Sequence, residues 1–522
     1  MNISNNYKSL VNTHTRKLYI VYKSLFIGVL AGAVSVAFRF TLEKVGIFSE
    51  IVYHFFRENL IYIPILLVIL GFVGLAVGLL VQKYPLIGGS GIPQVKAHMI
   101  GAVKNKWLTS MIFKFIGGTI SIIGGLSVGR EGPSIQLGAC VAQGVGEKIA
   151  STRTERKVLI AGGASAGLAA AFNAPLAGTM FAIEELFKYF SPIVLLAVTS
   201  AAVVADFISK TIFGIEPVFN FAVNDSIPLH GYWVFIPIGI ILGLAGAFYN
   251  WSLINTQNIM KNIFKKFPYV KPVIPFLAAG VLGIYLPIVL GGGHHLIKEL
   301  SIEKSFLWLI IILIIKFVFS IVSFSSGAPG GIFFPLLVLG ATLGAVLGKI
   351  SVTYLGFDPS LYHNFIVLAM VGMFTAIVRA PITGIILLTE MTGSFTHLLS
   401  FTTVAVIAYI TADLVKSEPI YESLLESYLK KNDLKTTKRD HVRRITVESV
   451  VHFGSNCEKK LVKQIPFPDE SLLISIRRDG KEIIPRGDVE MKAGDYLVVI
   501  TAVKDEHKVR TFLDEMTSST HC

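Results

Sequence analysis

The chain has 522 residues, 53% hydrophobic and 16% charged, with a formal net charge of +13. So small a polar share excludes a water-soluble globule of this size. The basic residues flank apolar runs, which points to a solvated, lipid-facing rim and excludes nucleic acid as a partner.

Lys8, Arg16, Lys17 and Lys23 precede the first apolar run, roughly 24–44. Further runs long enough to cross a bilayer lie near 61–82, 232–250, 273–290, 306–323 and 397–412. The runs 110–128, 157–172, 175–187, 335–350 and 364–378 are shorter or broken by glycine. They predict half-spanning or tilted helices, whose loose backbone must be buried in protein. The expected fold class is therefore an all-α polytopic membrane protein of ten to eighteen helical pieces. Lys416, Lys430, Lys431, Lys435, Lys438, Arg439, Arg443 and Arg444 follow the last run, so both termini are expected in the cytoplasm. The N-terminus has no short apolar segment with a cleavage site, so no removed signal peptide is expected. Cys140, Cys457 and Cys522 are too scattered for a metal site or a disulfide framework, and no cofactor is expected.

After about residue 440 the pattern changes. Leu472–Ile476, Lys481–Ile484 and Tyr496–Thr501 read as short strands, with Asp479-Gly480 as a hairpin turn. Val503–Met516 reads as an amphipathic helix. The expected organisation is a membrane domain over 1–430, a basic linker over 431–442, and a small soluble α+β domain over 443–522.

The membrane part repeats itself. Lys114-Phe115 stands 19 residues before Pro133, and Lys316-Phe317 stands 19 before Pro335. Leu137-Gly138-Ala139 and Leu339-Gly340-Ala341 follow the two prolines at equal distance. Asn173–Gly178 answers Arg379–Gly384, and Glu184 and Glu390 each lie nine residues past the proline of their segment. A duplicated apolar chain with Gly/Pro-interrupted segments at matching places is the pattern of a secondary transporter with a midplane site.

Three loops have the grammar of an anion site: Gly89-Ser90-Gly91-Ile92-Pro93, Gly129-Arg130-Glu131-Gly132-Pro133 and Gly331-Ile332-Phe333-Phe334-Pro335. A helix N-terminus offers unpaired N–H groups and a partial positive charge. It holds an anion without a full cation, and so permits release. Proline suits the first turn, and glycine allows close backbone approach. Ser90 adds a hydroxyl donor. Glu131 is the odd member, because its carboxylate can compete with the anion and leave when protonated. That couples proton movement to anion movement through one side chain. Glu184 and Glu185 form a second acidic pair, read equally well as a proton relay or a helix end.

Gly163-Ala164-Ser165-Ala166-Gly167 matches the nucleophile elbow of serine hydrolases, with His294 and His295 as bases. The elbow needs a strand and a sharp turn, whereas Ala161–Ala171 is a small-residue run suited to close helix packing. The enzyme reading is therefore rejected in favour of transport.

In this order, Gly-Ser-Gly-Ile-Pro, Gly-Arg-Glu-Gly-Pro and Gly-Gly-Ile-Phe-Phe-Pro resemble the three loops of the CLC chloride channel and transporter family. The resemblance covers about residues 20–430. It implies a homodimer of two independent pores, each subunit an inverted repeat of tilted helices. By motif position, Ser90, the amides of Ile332 and Phe333, and the Tyr421 hydroxyl would bind chloride. Gly89, Gly91, Gly129, Arg130, Gly132, Gly331 and Phe334 would complete the anion loops. Glu131 would be the external gating glutamate and Glu185 the internal proton glutamate. Lys114 would either add positive potential or snorkel to the interface. Having both Glu131 and Glu185 resembles the chloride–proton exchangers, with a voltage- or pH-gated channel as the alternative. Ser90 resembles chloride-selective members; proline there would suggest nitrate, and fluoride exchangers depart from this loop. The expected setting is a bacterial inner (plasma) membrane. The tail, with Arg478-Asp479-Gly480 and Gly494-Asp495, resembles the C-terminal domain of RCK/TrkA potassium-transport regulators. That resemblance implies dimerisation and a small regulatory ligand.

Overall fold

The computed structural model describes residues 3–219, 227–431, 444–469, 471–478, 481–502 and 505–518. The chain divides into two units, Met1–Asn432 and Asp433–Cys522. The Asp479-Gly480 turn, Cys522 and the linker from residue 432 to 443 lie outside the described residues.

Within the first unit, eight helices among the described residues are long and apolar enough to cross a bilayer. They differ in what surrounds them. The most apolar stretch of Leu60–Lys83 is only 28% buried, whereas those of Phe333–Leu355 and Pro359–Val378 are 78% and 94% buried. The first is left largely uncovered by the rest of this chain; the other two form the inside of the bundle, where buried helix ends can hold polar chemistry.

Two of these differ from the sequence expectation. The runs at 335–350 and 364–378 read as short or broken, yet they form the full helices Phe333–Leu355 and Tyr362–Val378. The glycines here are contact points, not breaks. A methyl carbon placed on Gly344 would lie 2.6 Å from Ala369 Cβ. The span Pro192–Phe213 was not anticipated at all, because Asp206 and Lys210 interrupt its apolar run. They pair at 2.7 Å on one helix face, which lowers the cost of placing both in the bundle. Conversely, the 273–290 run ends as a helix at Tyr285, with Leu286 alone between it and the separate turn Pro287–Val289.

The sequence repeat is a structural repeat. Lys114 Nζ donates to the carbonyls of Ile87 (2.9 Å) and Gly89 (2.6 Å), 27 and 25 residues earlier. Lys316 Nζ donates to Val289 and Gly291 (both 2.8 Å) at the same separations. Both lysines are fully buried. Lys114 therefore does not snorkel; it braces the loop that starts the next short helix. Asn173 and Arg379 both end their helices in the left-handed region, at φ 55° and 67°. Glu390 accepts from the amides of Leu176 (3.0 Å) and Ala177 (2.8 Å). Glu184 accepts from Ile382 (3.1 Å) and Thr383 (2.7 Å). Each half thus caps the helix start of the other with a carboxylate.

The second unit is a four-stranded antiparallel sheet of order β1-β4-β2-β3, with Arg444–Val450 as β1, Ser471–Arg478 as β2, Lys481–Ile483 as β3 and Tyr496–Ala502 as β4. β1 is an addition to the expected strands; it pairs Val447 with Val499. The final helix runs Glu506–Thr517. Leu473, Ile476, Val499, Val509, Leu513 and Cys457 lie in its core.

Candidate anion and proton site

Helix starts converge on the middle of the first unit. Gly91, at φ 100°, turns the chain into Ile92–Met99. Its counterpart Gly293, at φ 102°, does the same for His294–Glu299. A backbone conformation of that kind favours glycine. Glu131 and Phe333 are the first residues of Glu131–Ile149 and Phe333–Leu355. Pro133 and Pro335 sit in the first turns, where a missing N–H costs nothing.

The loops are stitched backbone to backbone. Gly129 N donates to Gly331 O (2.7 Å), and Gly331 N returns the bond to Gly129 O (2.8 Å). Gly89 N donates to Gly327 O (3.2 Å), and Gly330 N to Gly89 O (3.0 Å). The loops leave no room for a side chain at Gly132. A Cβ on Gly132 would fall 2.4 Å from Ser90 Oγ and 3.2 Å from Gly331 Cα. Ser90, Gly132 and Gly331 therefore meet at one point.

Around that point lie polar groups that the protein does not satisfy. Glu131 is fully buried. Its carboxylate faces the amides of its own residue and of Phe334, yet neither oxygen makes a hydrogen bond of normal geometry. The hydroxyls of Ser90 and Tyr421 are buried without a hydrogen-bond partner. Buried polar atoms are nearly always paired, so three residues with orphaned oxygens among converging helix starts mark a place for a ligand. Phe333 points its ring away into an aromatic cluster, 5.3 Å from Phe172 and 4.9 Å from Phe374 between centroids. Phe181 links this cluster to the Tyr421 ring, at 6.2 Å and 6.5 Å. The cluster keeps the surroundings of this helix start apolar.

Tyr421 is placed by its preceding turn. Asn250 Nδ2 donates to Glu418 O (3.0 Å) and to Ile377 O (3.1 Å). An Arg379 guanidinium nitrogen donates to Ser417 O (2.9 Å). The helix Ile420–Lys431 then starts with Tyr421 inside the bundle. Arg130 is the N-cap of the Glu131 helix and lies 3.6 Å from Glu43, which also pairs with Arg39 (3.2 Å).

Glu184 and Glu185, equal by spacing, separate in the structure. Glu184 is engaged in capping Ile382 and Thr383. Glu185 sits on the π-helical turn Ala182–Phe187, nearly fully buried, 2.7 Å from Lys96 Nζ. Lys96 was not singled out from sequence. A lysine in the short helix that directly follows the Gly89–Gly91 loop was the available signal. His294, a candidate base of the rejected hydrolase reading, stacks on the Phe334 ring, 3.7 Å between centroids.

The hydrolase elbow has no elbow. Ser165 lies in the middle of the helix Arg153–Phe172. Its flanking glycines serve packing: a Cβ on Gly163 would lie 2.3 Å from Gly138 O, and one on Gly167 2.2 Å from Ser134 O. His295 pairs with Glu50 at 3.0 Å instead of approaching a serine.

Comparison with known proteins agrees with this geometry. Residues 73–413 match the voltage gated chloride channel family, and residues 446–514 match the TrkA-C domain. The chain is 30% identical over 445 residues to the H(+)/Cl(-) exchange transporter ClcA of Klebsiella pneumoniae subsp. pneumoniae, covering 82% of this chain and 92% of that protein. It is 31% identical over 445 residues to the ClcA exchanger of Salmonella typhi, with the same coverage. Among solved structures, a slow cyanobacterial Cl-/H+ antiporter superposes with TM-score 0.74 at 26% identity, over 79% of this chain and 99% of the other. A CLC-type fluoride/proton antiporter superposes with TM-score 0.65 at 27% identity, over 78% and 97%. A buried duplicated frame, three stitched anion loops and these likenesses converge: the chain is an integral membrane protein of the CLC transporter family, not an enzyme, with a TrkA-C domain following its membrane part.

Proposed function

We propose that this protein exchanges chloride for protons, with Glu131 as the outer gate and proton carrier and Glu185 as the inner proton site. The observation that carries the reading is the Glu131 carboxylate, fully buried and without a hydrogen bond, facing the start of the Phe333–Leu355 helix. A carboxylate there takes the place an anion would take. Protonation removes its charge, and with it the attraction to the helix start, so the side chain leaves and chloride enters. Ser90 and Tyr421 offer hydroxyl donors to that chloride, with the amides of Ile332 and Phe333. Return of the carboxylate expels the anion and releases the proton.

Chloride rather than fluoride is favoured by the Ser90 hydroxyl at the loop and by the named relatives, while a fluoride/proton antiporter shares the fold. The membrane part, residues 1–430, is assigned transport, and residues 443–522 are assigned regulation through a small ligand and pairing with a second copy. A homodimer with both termini in the cytoplasm, in a bacterial inner membrane, completes the reading.

The test is reconstitution into liposomes with simultaneous chloride and pH recording. Under a chloride gradient at equal pH, protons are expected to move uphill. Chloride current without proton movement would make the protein a channel. Repeating the run with fluoride fixes the anion.

A further inference from the structure

The inner half of the proposed proton path has an uncommon feature. The Lys96 ammonium is buried, and it touches two carboxylates at once: Glu185 at 2.7 Å and Glu422 at 2.5 Å. The two acids differ in setting. The Glu185 side chain is 4% exposed and that of Glu422 is 32% exposed. Glu422 also accepts from Lys188 (2.5 Å), whose side chain is half exposed. Glu422 directly follows the pore tyrosine Tyr421. The groups acting on Glu185 are thus Lys96 of Ile92–Met99, Lys188 after the π turn, and Glu422 and Tyr421 of Ile420–Lys431. The helices Arg153–Phe172 and Pro192–Phe213 also pack on this turn. Among the described residues, neither sends an ion pair or hydrogen bond to Glu185.

A buried ammonium must keep a counter-ion, because an unpaired charge out of water is strongly unfavourable. With both acids ionised, two cations face two carboxylates and the cluster is neutral. If Lys96 had Glu185 as its only anion, protonating Glu185 would strand the ammonium. Glu422 removes that obstacle by offering Lys96 a second carboxylate within reach.

We propose that Lys96 is a positioning residue for the proton step, its ammonium shared between Glu185 and Glu422 while Glu185 is ionised and held by Glu422 alone while Glu185 carries its proton. The inference rests on the reading of Glu185 as the inner proton site. The proton comes from cytoplasmic water and goes onto a Glu185 oxygen. Lys96 stays an ammonium throughout and only changes partner. Glu422, with Lys188 behind it, marks where the path opens to solvent.

The two partners of Glu185 then act in opposite directions. Lys96 favours its charged form, and Glu422 disfavours it, both by its own charge and by drawing Lys96 away. The experiment is an infrared pH titration of the full-length protein in liposomes, following the protonated-carboxyl signal that Glu185→Gln removes. Lys96→Met is expected to move the midpoint to higher pH by about one to three units, as loss of a close opposite charge does. Glu422→Gln is expected to move it to lower pH. Lys96→Arg, which keeps the charge, is expected to leave it near the wild-type value. Coupled proton transport in the same liposomes should follow these midpoints.

Shifts in the same direction for Lys96→Met and Glu422→Gln, or no shift in either, overturn the proposal. Should Lys96→Met fail to fold, the acid shift of Glu422→Gln against an unshifted Lys96→Arg still decides it. Absence of any signal sensitive to Glu185→Gln, together with intact proton coupling in that variant, overturns the reading of Glu185 itself.

Discussion

Lys114 and Lys316, Glu184 and Glu390, and Asn173 and Arg379 stand at matching places in the two halves and make matching contacts. Glu131, Ser90 and Glu185 have no such twin. In the register set by the Gly129–Gly331 pairing, Glu131 corresponds to Phe333 and Ser90 to Gly292. In the register of Glu184 and Glu390, Glu185 corresponds to Met391. What the halves share is the frame; what they do not share is the chemistry. Lys96 sharpens the point. It matches Lys298 in sequence, but Lys298 is exposed while Lys96 is buried between two acids.

Glu131→Ala makes the largest break in that comparison, since it gives the first half an apolar residue where the second already has one. Chloride flux in liposomes should persist while the chloride-driven proton signal falls to the leak level. Proton pumping at wild-type yield would falsify the gating role of Glu131.

Lys114→Met and Lys316→Met probe the shared frame. Lys114→Met leaves the Ile87 carbonyl without a donor, while Gly89 O keeps the Gly330 amide; Lys316→Met takes the lysine donor from both Val289 O and Gly291 O, at about 1–3 kcal/mol per unpaired group. Thermal unfolding in detergent should show losses for both variants, the larger for Lys316→Met. A loss confined to one of them would mean that the halves do not bear equal roles.

A smaller effect is expected from Glu184→Gln and Glu390→Gln. The amide keeps one acceptor oxygen but loses the charge at a helix start, worth roughly 0.5–2 kcal/mol. Both should lower the melting temperature slightly and leave proton coupling intact. Uncoupling by Glu184→Gln alone would return it to the proton path.

The least effect on exchange should come from truncation after Lys431. Every proposed pore residue precedes that point, and the second unit has its own core. Flux assays of the truncated protein should show chloride–proton coupling at unchanged stoichiometry. An inert but well-folded product would place the tail in the transport machinery.

Local grammar made much of this readable. The three anion loops carry their glycines and prolines within a few residues, and those side chains act through backbone geometry nearby. The strand Ser471–Arg478 and the helix Glu506–Thr517 were visible from alternation and amphipathic spacing for the same reason. Long-range contacts hid the rest. Lys96 meets Glu185 and Glu422 across separations of 89 and 326 residues, and no local pattern announces such a meeting. Gly340, Gly344 and Gly348 were read as interruptions, because a glycine that admits a neighbouring helix looks in sequence like one that ends its own. The difference between Glu184 and Glu185 was within reach: only Glu184 has an acidic twin.

The stitched pair Gly129–Gly331 has a mechanical consequence. A Cβ placed on Gly129 would lie 2.2 Å from Glu131 Oε2 and 3.2 Å from Phe334 Cβ and Pro335 Cδ. The berth of the gate is therefore borrowed from the missing side chain of its neighbour. One methyl group at residue 129 would act as a wedge, keeping the carboxylate outside while its charge and proton remain. Gly129→Ala should pass anions through a door held ajar, with flux nearly independent of pH where the wild type's depends on it. A pH series of chloride efflux from liposomes would read this directly. In this protein the resting place of a moving part is defined by an atom that evolution left out.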